Sequence, residues 1–103
     1  MSPSKPLRLK ISTEADRDLE TIWRYSFEQW GVVQADRYTD ALEDTFNTLC
    51  AMPQMARERR DVDPPVRVHP SAKHLIVFVT DDTTLTVVRV LSQRQNWQAI
   101  LSD

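Results

Sequence analysis

Internal disulfides are excluded at once, because the chain has one cysteine, Cys50. A lone thiol fits a reducing compartment, and among Phe46, Leu49 and Met52 it reads as a small buried side chain. Long hydrophobic runs are also missing, and with 27% charged residues no membrane span is expected. The opening Met1-Ser2-Pro3-Ser4-Lys5-Pro6 lacks the apolar stretch of a signal peptide. Residues 1–6 therefore read as a flexible lead-in, and the expected location is the cytoplasm. His69 and His74 are the only histidines; five apart, with no cysteine near, they make a poor metal site. No metal and no cofactor is expected. No repeat, low-complexity tract or second domain is visible, so residues 1–103 are expected to form one domain with a single core.

Glycine is equally scarce. Gly31 is the only one, and it sits in the middle of the most regular stretch, Thr13 to Met52. Before it Ala15, Leu19, Ile22, Trp23, Ser26 and Trp30 recur at helical spacing; after it Ala35, Tyr38, Leu42, Phe46 and Leu49 do the same. A glycine can end a helix in a left-handed conformation without steric cost. The pattern predicts two amphipathic helices folded back on each other, the first capped by Ser12 or Thr13 and the second fading at Met52-Pro53.

Around this hairpin the pattern changes period. Leu7 to Ser12 alternates apolar and polar residues, a strand with Leu7, Leu9 and Ile11 inward and Arg8 and Lys10 outward. Residues 53–65, bracketed by Pro53 and Pro64-Pro65, read as a charged loop. Its Arg57, Arg59 and Arg60 are better read as solvated than as a functional patch. Val66–His69, Lys73–Thr80 and Leu85–Leu91 read as strands, with a hairpin turn at Asp81-Asp82-Thr83. Arg94–Leu101 reads as a short helix with Trp97, Ile100 and Leu101 on one face. The expected fold class is α+β: an N-terminal strand, a helical hairpin, a three-stranded antiparallel β-meander and a short C-terminal helix.

The net charge of −2 hides an asymmetry. Thr13 to Met52 holds nine acids against three arginines, whereas the remainder holds ten bases against six acids. If Val88 and Val90 pack under the helices, strand alternation puts Arg89, Leu85, Val87 and Leu91 on the reverse face. Arg8, Lys10 and Arg67 join them there, giving an open face of mixed basic and apolar character on which a partner is expected. The plainer alternative is that the C-terminal segment folds over that face with Trp97 as its plug.

The chain resembles the ParE/RelE superfamily of type II toxins. The likeness is carried by Ala15-Asp16-Arg17-Asp18-Leu19, Ile22-Trp23-Arg24-Tyr25 and Trp30-Gly31-Val32-Val33-Gln34-Ala35. It continues through Tyr38, Leu42, Phe46, Leu49, Pro53, Arg67, His74-Leu75-Ile76-Val77-Phe78 and Val88 to Trp97. It spans Leu7 to Leu101, and the tryptophan-glycine turn before a Gln-Ala helix start is most similar to the ParE branch. The resemblance implies a toxin neutralised by a cognate ParD-like antitoxin, a dimeric DNA-binding protein, with DNA contacted only through that antitoxin. ParE toxins are associated with poisoning DNA gyrase, and RelE-type relatives with cutting messenger RNA on the ribosome.

Chemistry weighs these two. Cleavage at a 2′-hydroxyl needs a proton acceptor, a proton donor and cations around the phosphate. RelE-like nucleases resemble one another in often carrying a tyrosine or histidine near the C-terminus, and Ser92 to Asp103 has neither. Many ParE-like chains have histidine where Ser92 stands, aspartate where Asn96 stands and tyrosine where Phe78 stands. The expected action is therefore binding, with no catalytic residue assigned. Arg67, Arg89 and Arg94 are the expected target contacts, and Leu85, Val87 and Trp97 the expected antitoxin contacts. A RelE-like ribosome-dependent endoribonuclease using Arg67, Arg89 and His69 is one alternative. A degenerate, non-toxic interaction module is another.

Overall fold

The computed structural model describes residues 5–102, so the expected lead-in falls, for residues 1–4, outside the described residues. Helix α1 (Thr13–Trp30) starts at Ser12, whose Oγ accepts the Ala15 N–H at 3.0 Å, with Glu14 and Asp16 in the positive first turn. Gly31 ends it at φ 90° and ψ 176°. Its N–H donates to the Phe27 carbonyl at 2.8 Å, and its own carbonyl accepts from Ala35 N–H at 3.1 Å, inside α2 (Val32–Ala51). One glycine thus closes one helix and opens the next. Across the hairpin, Trp23 Nε1 donates to Asp36 Oδ1 at 2.9 Å.

The strands are β1 (Arg8–Ile11), β2 (Arg57–Arg59), β3 (Val66–Ser71), β4 (His74–Thr80) and β5 (Thr84–Ser92). A short 3₁₀ turn, Pro53–Met55, precedes β2. The sheet order is β1-β5-β4-β3-β2, with β1 parallel to β5 and every other pair antiparallel. The stretch expected to be only a loop therefore supplies a fifth strand, paired as Arg57 with Val68 and Arg59 with Val66. Its three residues are all charged and carry no period-two signal, so only the pairing reveals it.

The face assignment on β5 is corrected by a bulge. Val77 pairs with Arg89 but Phe78 pairs with Val87, so Val88 is an extra residue in β5. The alternation changes phase there. Leu85, Val87 and Val90 all face the helices and join Ile76 and Phe78 under Ala15, Leu19, Ile22, Leu42, Phe46 and Leu49. Leu85 and Val87, expected on an exposed face as antitoxin contacts, are 0% exposed. Burying such a side chain fully contributes about 1.5–3 kcal/mol, which is what holds them in the core.

The reverse face is not open. Val77, Leu91, Val62 and Val66 form a second cluster there, with Trp97, Ile100 and Leu101 packed on it. Those three come from α3 (Trp97–Ser102), so the C-terminal segment does fold over the sheet, and its apolar residues share a face as expected. Arg67 is moved by the same logic. Its neighbours Val66 and Val68 belong to this second layer, and Arg67 pairs with Phe78 on the helix-facing side. The arginine-bearing free reverse face is thereby overturned.

Candidate functional site

One helical stripe of α1, Asp18, Thr21, Ile22, Tyr25, Ser26 and Trp30, forms a wall of an open groove of about 1260 Å³. Opposite it stand the β3–β4 turn at Ala72 and Lys73, His74 at the start of β4, and the segment from Arg89 through Gln95. Gln34 and Tyr38 of α2 close one end. The hairpin angle set at Gly31 brings these elements together.

At the floor, Arg89 meets Asp18. Arg89 Nε donates to Asp18 Oδ2 at 2.8 Å and Nη2 to Oδ1 at 3.0 Å, a bidentate pair. Asp18 Oδ2 also accepts the Val90 N–H at 2.9 Å. The carboxylate beside it, helped by Glu14, holds the Arg89 guanidinium even more firmly charged than usual. The Val88 carbonyl accepts from Ser12 Oγ at 2.8 Å, and the Ser92 N–H donates to Gln95 Oε1 at 2.8 Å. Past the end of β1, the outer edge of β5 is thus capped by side chains.

His74, read from the sequence as a structural residue hydrogen-bonded at its strand end, has that role and lines the groove as well. The Lys73 N–H donates to the Tyr38 hydroxyl at 3.3 Å, and that hydroxyl lies 2.6 Å from His74 Nδ1. Burial pushes the His74 pKa below its ordinary 6.5, the Lys73 charge acts the same way, and Asp18 opposes them. The ring is neutral at pH 7. Burial also raises the Tyr38 hydroxyl, which therefore stays protonated.

The expected contact residues are scattered. Arg94 is exposed on the groove rim, and Arg89 is held by Asp18 at its floor. Arg67 donates from Nη1 to the Ala56 carbonyl at 2.7 Å, outside the groove. His69 pairs with Ile76 on β4 and is not part of the groove either. Trp97 is half-buried on the reverse face with the Arg59 guanidinium 4.9 Å from its ring centre. Ser92 Oγ accepts the Arg94 N–H, and Asn96 Oδ1 accepts the Ala99 N–H at 3.3 Å as a cap on α3. Phe78 is fully buried in the core.

Sequence reading missed Lys73, Tyr38, Gln34 and Gln93 as neighbours. Gln93 Nε2 donates to the Ala72 carbonyl at 2.7 Å, tying the β3–β4 turn to the end of β5. No local pattern marks a groove assembled from α1, α2, a turn and a strand end. Among the described residues no group of His, Cys, Asp and Glu could hold a metal ion, and no helix is long and apolar enough to cross a membrane.

A family model described as the ParE toxin of the type II toxin-antitoxin system parDE matches residues 9–97. Toxin ParE1 of Caulobacter vibrioides is 35% identical over 97 residues, covering 94% of this chain and 98% of the relative. Toxin ParE1 of Mycobacterium tuberculosis is 33% identical over 90 residues, covering 86% and 92%. A solved structure described as the chromosomal ParDE TA system from P. aeruginosa shares the fold, with a TM-score of 0.73 at 17% identity over 84% of this chain and 95% of that one. The match runs across α1, the Gly31 hinge, the sheet and the start of α3, and on that ground the chain belongs to the ParE toxin family.

Proposed function

We infer that this chain is the toxin of a type II toxin–antitoxin pair, that it inhibits DNA gyrase by binding, and that a cognate ParD-like antitoxin neutralises it. The observation that carries this is the family match over residues 9–97, together with relatives named as ParE toxins along nearly their whole length. The geometry weighs in the same direction. Two of the three residues assigned to an RNA-cleaving alternative are committed elsewhere, Arg67 to the Ala56 carbonyl and Arg89 to Asp18, and the third, His69, lies outside the groove. His74 Nδ1 is engaged by the Tyr38 hydroxyl at 2.6 Å. Arg94, exposed on the rim, is the arginine best placed to touch a target.

Inducing the chain in a bacterial host tests the reading. Growth arrest on induction, relieved by co-expressing the neighbouring antitoxin gene, is the expected result. Undiminished growth at confirmed expression of folded protein would contradict it and leave an interaction module without toxicity.

A further inference from the structure

The groove between α1 and the β3–β4 turn combines an apolar lining with cations and with amide and hydroxyl groups. Lys73 and Arg94 bring two positive charges to it, and the one acid lining it among the described residues, Asp18, is paired with Arg89. This sits in a chain whose net charge is −2. His74 lines the groove beside them, its Nδ1 2.6 Å from the Tyr38 hydroxyl. Side-chain amides of Gln34, Gln93 and Gln95 line the same space.

Beside these donors lie two exposed aromatic rings. Tyr25 is 58% exposed and Trp30 59%, their centroids 6.3 Å apart with the planes at 81°. The Lys73 ammonium sits 5.6 Å from the Trp30 centroid. Two exposed rings set nearly at right angles and flanked by cations match a ligand that combines rings with anionic oxygens.

An acidic peptide is the competing occupant, and the groove suits it less. The adjoining edge of β5 is capped by Ser12, Asp18 and Gln95, so no strand can be added there. Of the groove's apolar residues, Ile22 and Val90 are already buried, which leaves a helix only Tyr25 and Trp30 as large exposed anchors.

We propose that this groove binds single-stranded nucleic acid, with a base packed against Trp30 or Tyr25 and the neighbouring phosphate held by Lys73 and Arg94. The proposal goes beyond the toxin role and departs from the expectation that DNA is touched only through an antitoxin. It does not depend on gyrase being the target, since binding is measured with the toxin alone.

Fluorescence anisotropy of the purified chain with labelled ten-nucleotide oligo(dT) and oligo(rU) tests it, with a labelled deca-glutamate peptide in parallel. Saturable binding of at least one oligonucleotide is expected, weakening as salt is raised. Arg94→Glu and Lys73→Glu, both at exposed side chains, should each weaken it about tenfold or more, and Trp30→Ala by about tenfold. The relative affinities of the two oligonucleotides identify DNA or RNA as the source. Absence of oligonucleotide binding overturns the proposal, as does binding unchanged in Arg94→Glu. Binding of the glutamate peptide as tight as that of the oligonucleotides overturns it in favour of a peptide groove.

Discussion

Asp18 and Arg89, 71 positions apart, form a two-bond ion pair at 2.8 and 3.0 Å, and the same carboxylate accepts the Val90 N–H. α1 is therefore fastened to β5 where β1 no longer covers the strand. Both side chains are shielded, at 16% and 27% exposure. Asp18→Ala strands the arginine and a backbone N–H together. It should cost about 1.5–3 kcal/mol in urea unfolding. A loss under about 0.5 kcal/mol, the scale of an exposed pair, would show that the fastening contributes little.

Gly31→Ala separates backbone conformation from crowding. Nothing lies within 4 Å of the added Cβ, yet φ of 90° with ψ of 176° is a region that side chains strongly avoid. The substitution should cost about 1–3 kcal/mol while leaving the helical content unchanged by circular dichroism. Unchanged stability would mean that the hinge does not need glycine.

Leu85→Ala tests the corrected face. A residue under the helices should lose about 2–5 kcal/mol on truncation, whereas an exposed contact residue would lose almost none. Thermal or urea unfolding decides between them.

His74 predicts a direction of pH dependence. Its folded-state pKa lies below 6.5, mainly through burial, so the unfolded chain takes up the proton first as pH falls. Stability at this site is fully present above about 6.5 and declines below it until the folded-state value is passed. His74→Gln should flatten that part of the Tm-against-pH curve. An equally steep decline in the variant would assign it to other groups.

Much of the fold was legible because the helical pattern is long and punctuated. Leu19, Ile22, Leu42, Phe46 and Leu49 repeat at helical spacing, and the break at Gly31 is the one observed. The short strands carried less. Alternation on β5 was read without the extra residue Val88, and one residue of slip exchanged the faces of Leu85 and Val87. Arg67 was correctly placed opposite Val66 and Val68. Those valines, however, face α3 and not the hairpin. The groove was invisible for a different reason: Asp18, Tyr38, Lys73 and Arg94 meet only through the tertiary fold.

The proposed toxin role is tested most directly by a supercoiling assay: purified chain added to DNA gyrase and relaxed plasmid, alongside translating ribosomes carrying a labelled message. The account predicts dose-dependent loss of supercoiling, relieved by the antitoxin, with the message left intact. Full supercoiling in the presence of folded chain, together with cleavage of the message on the ribosome, would contradict it.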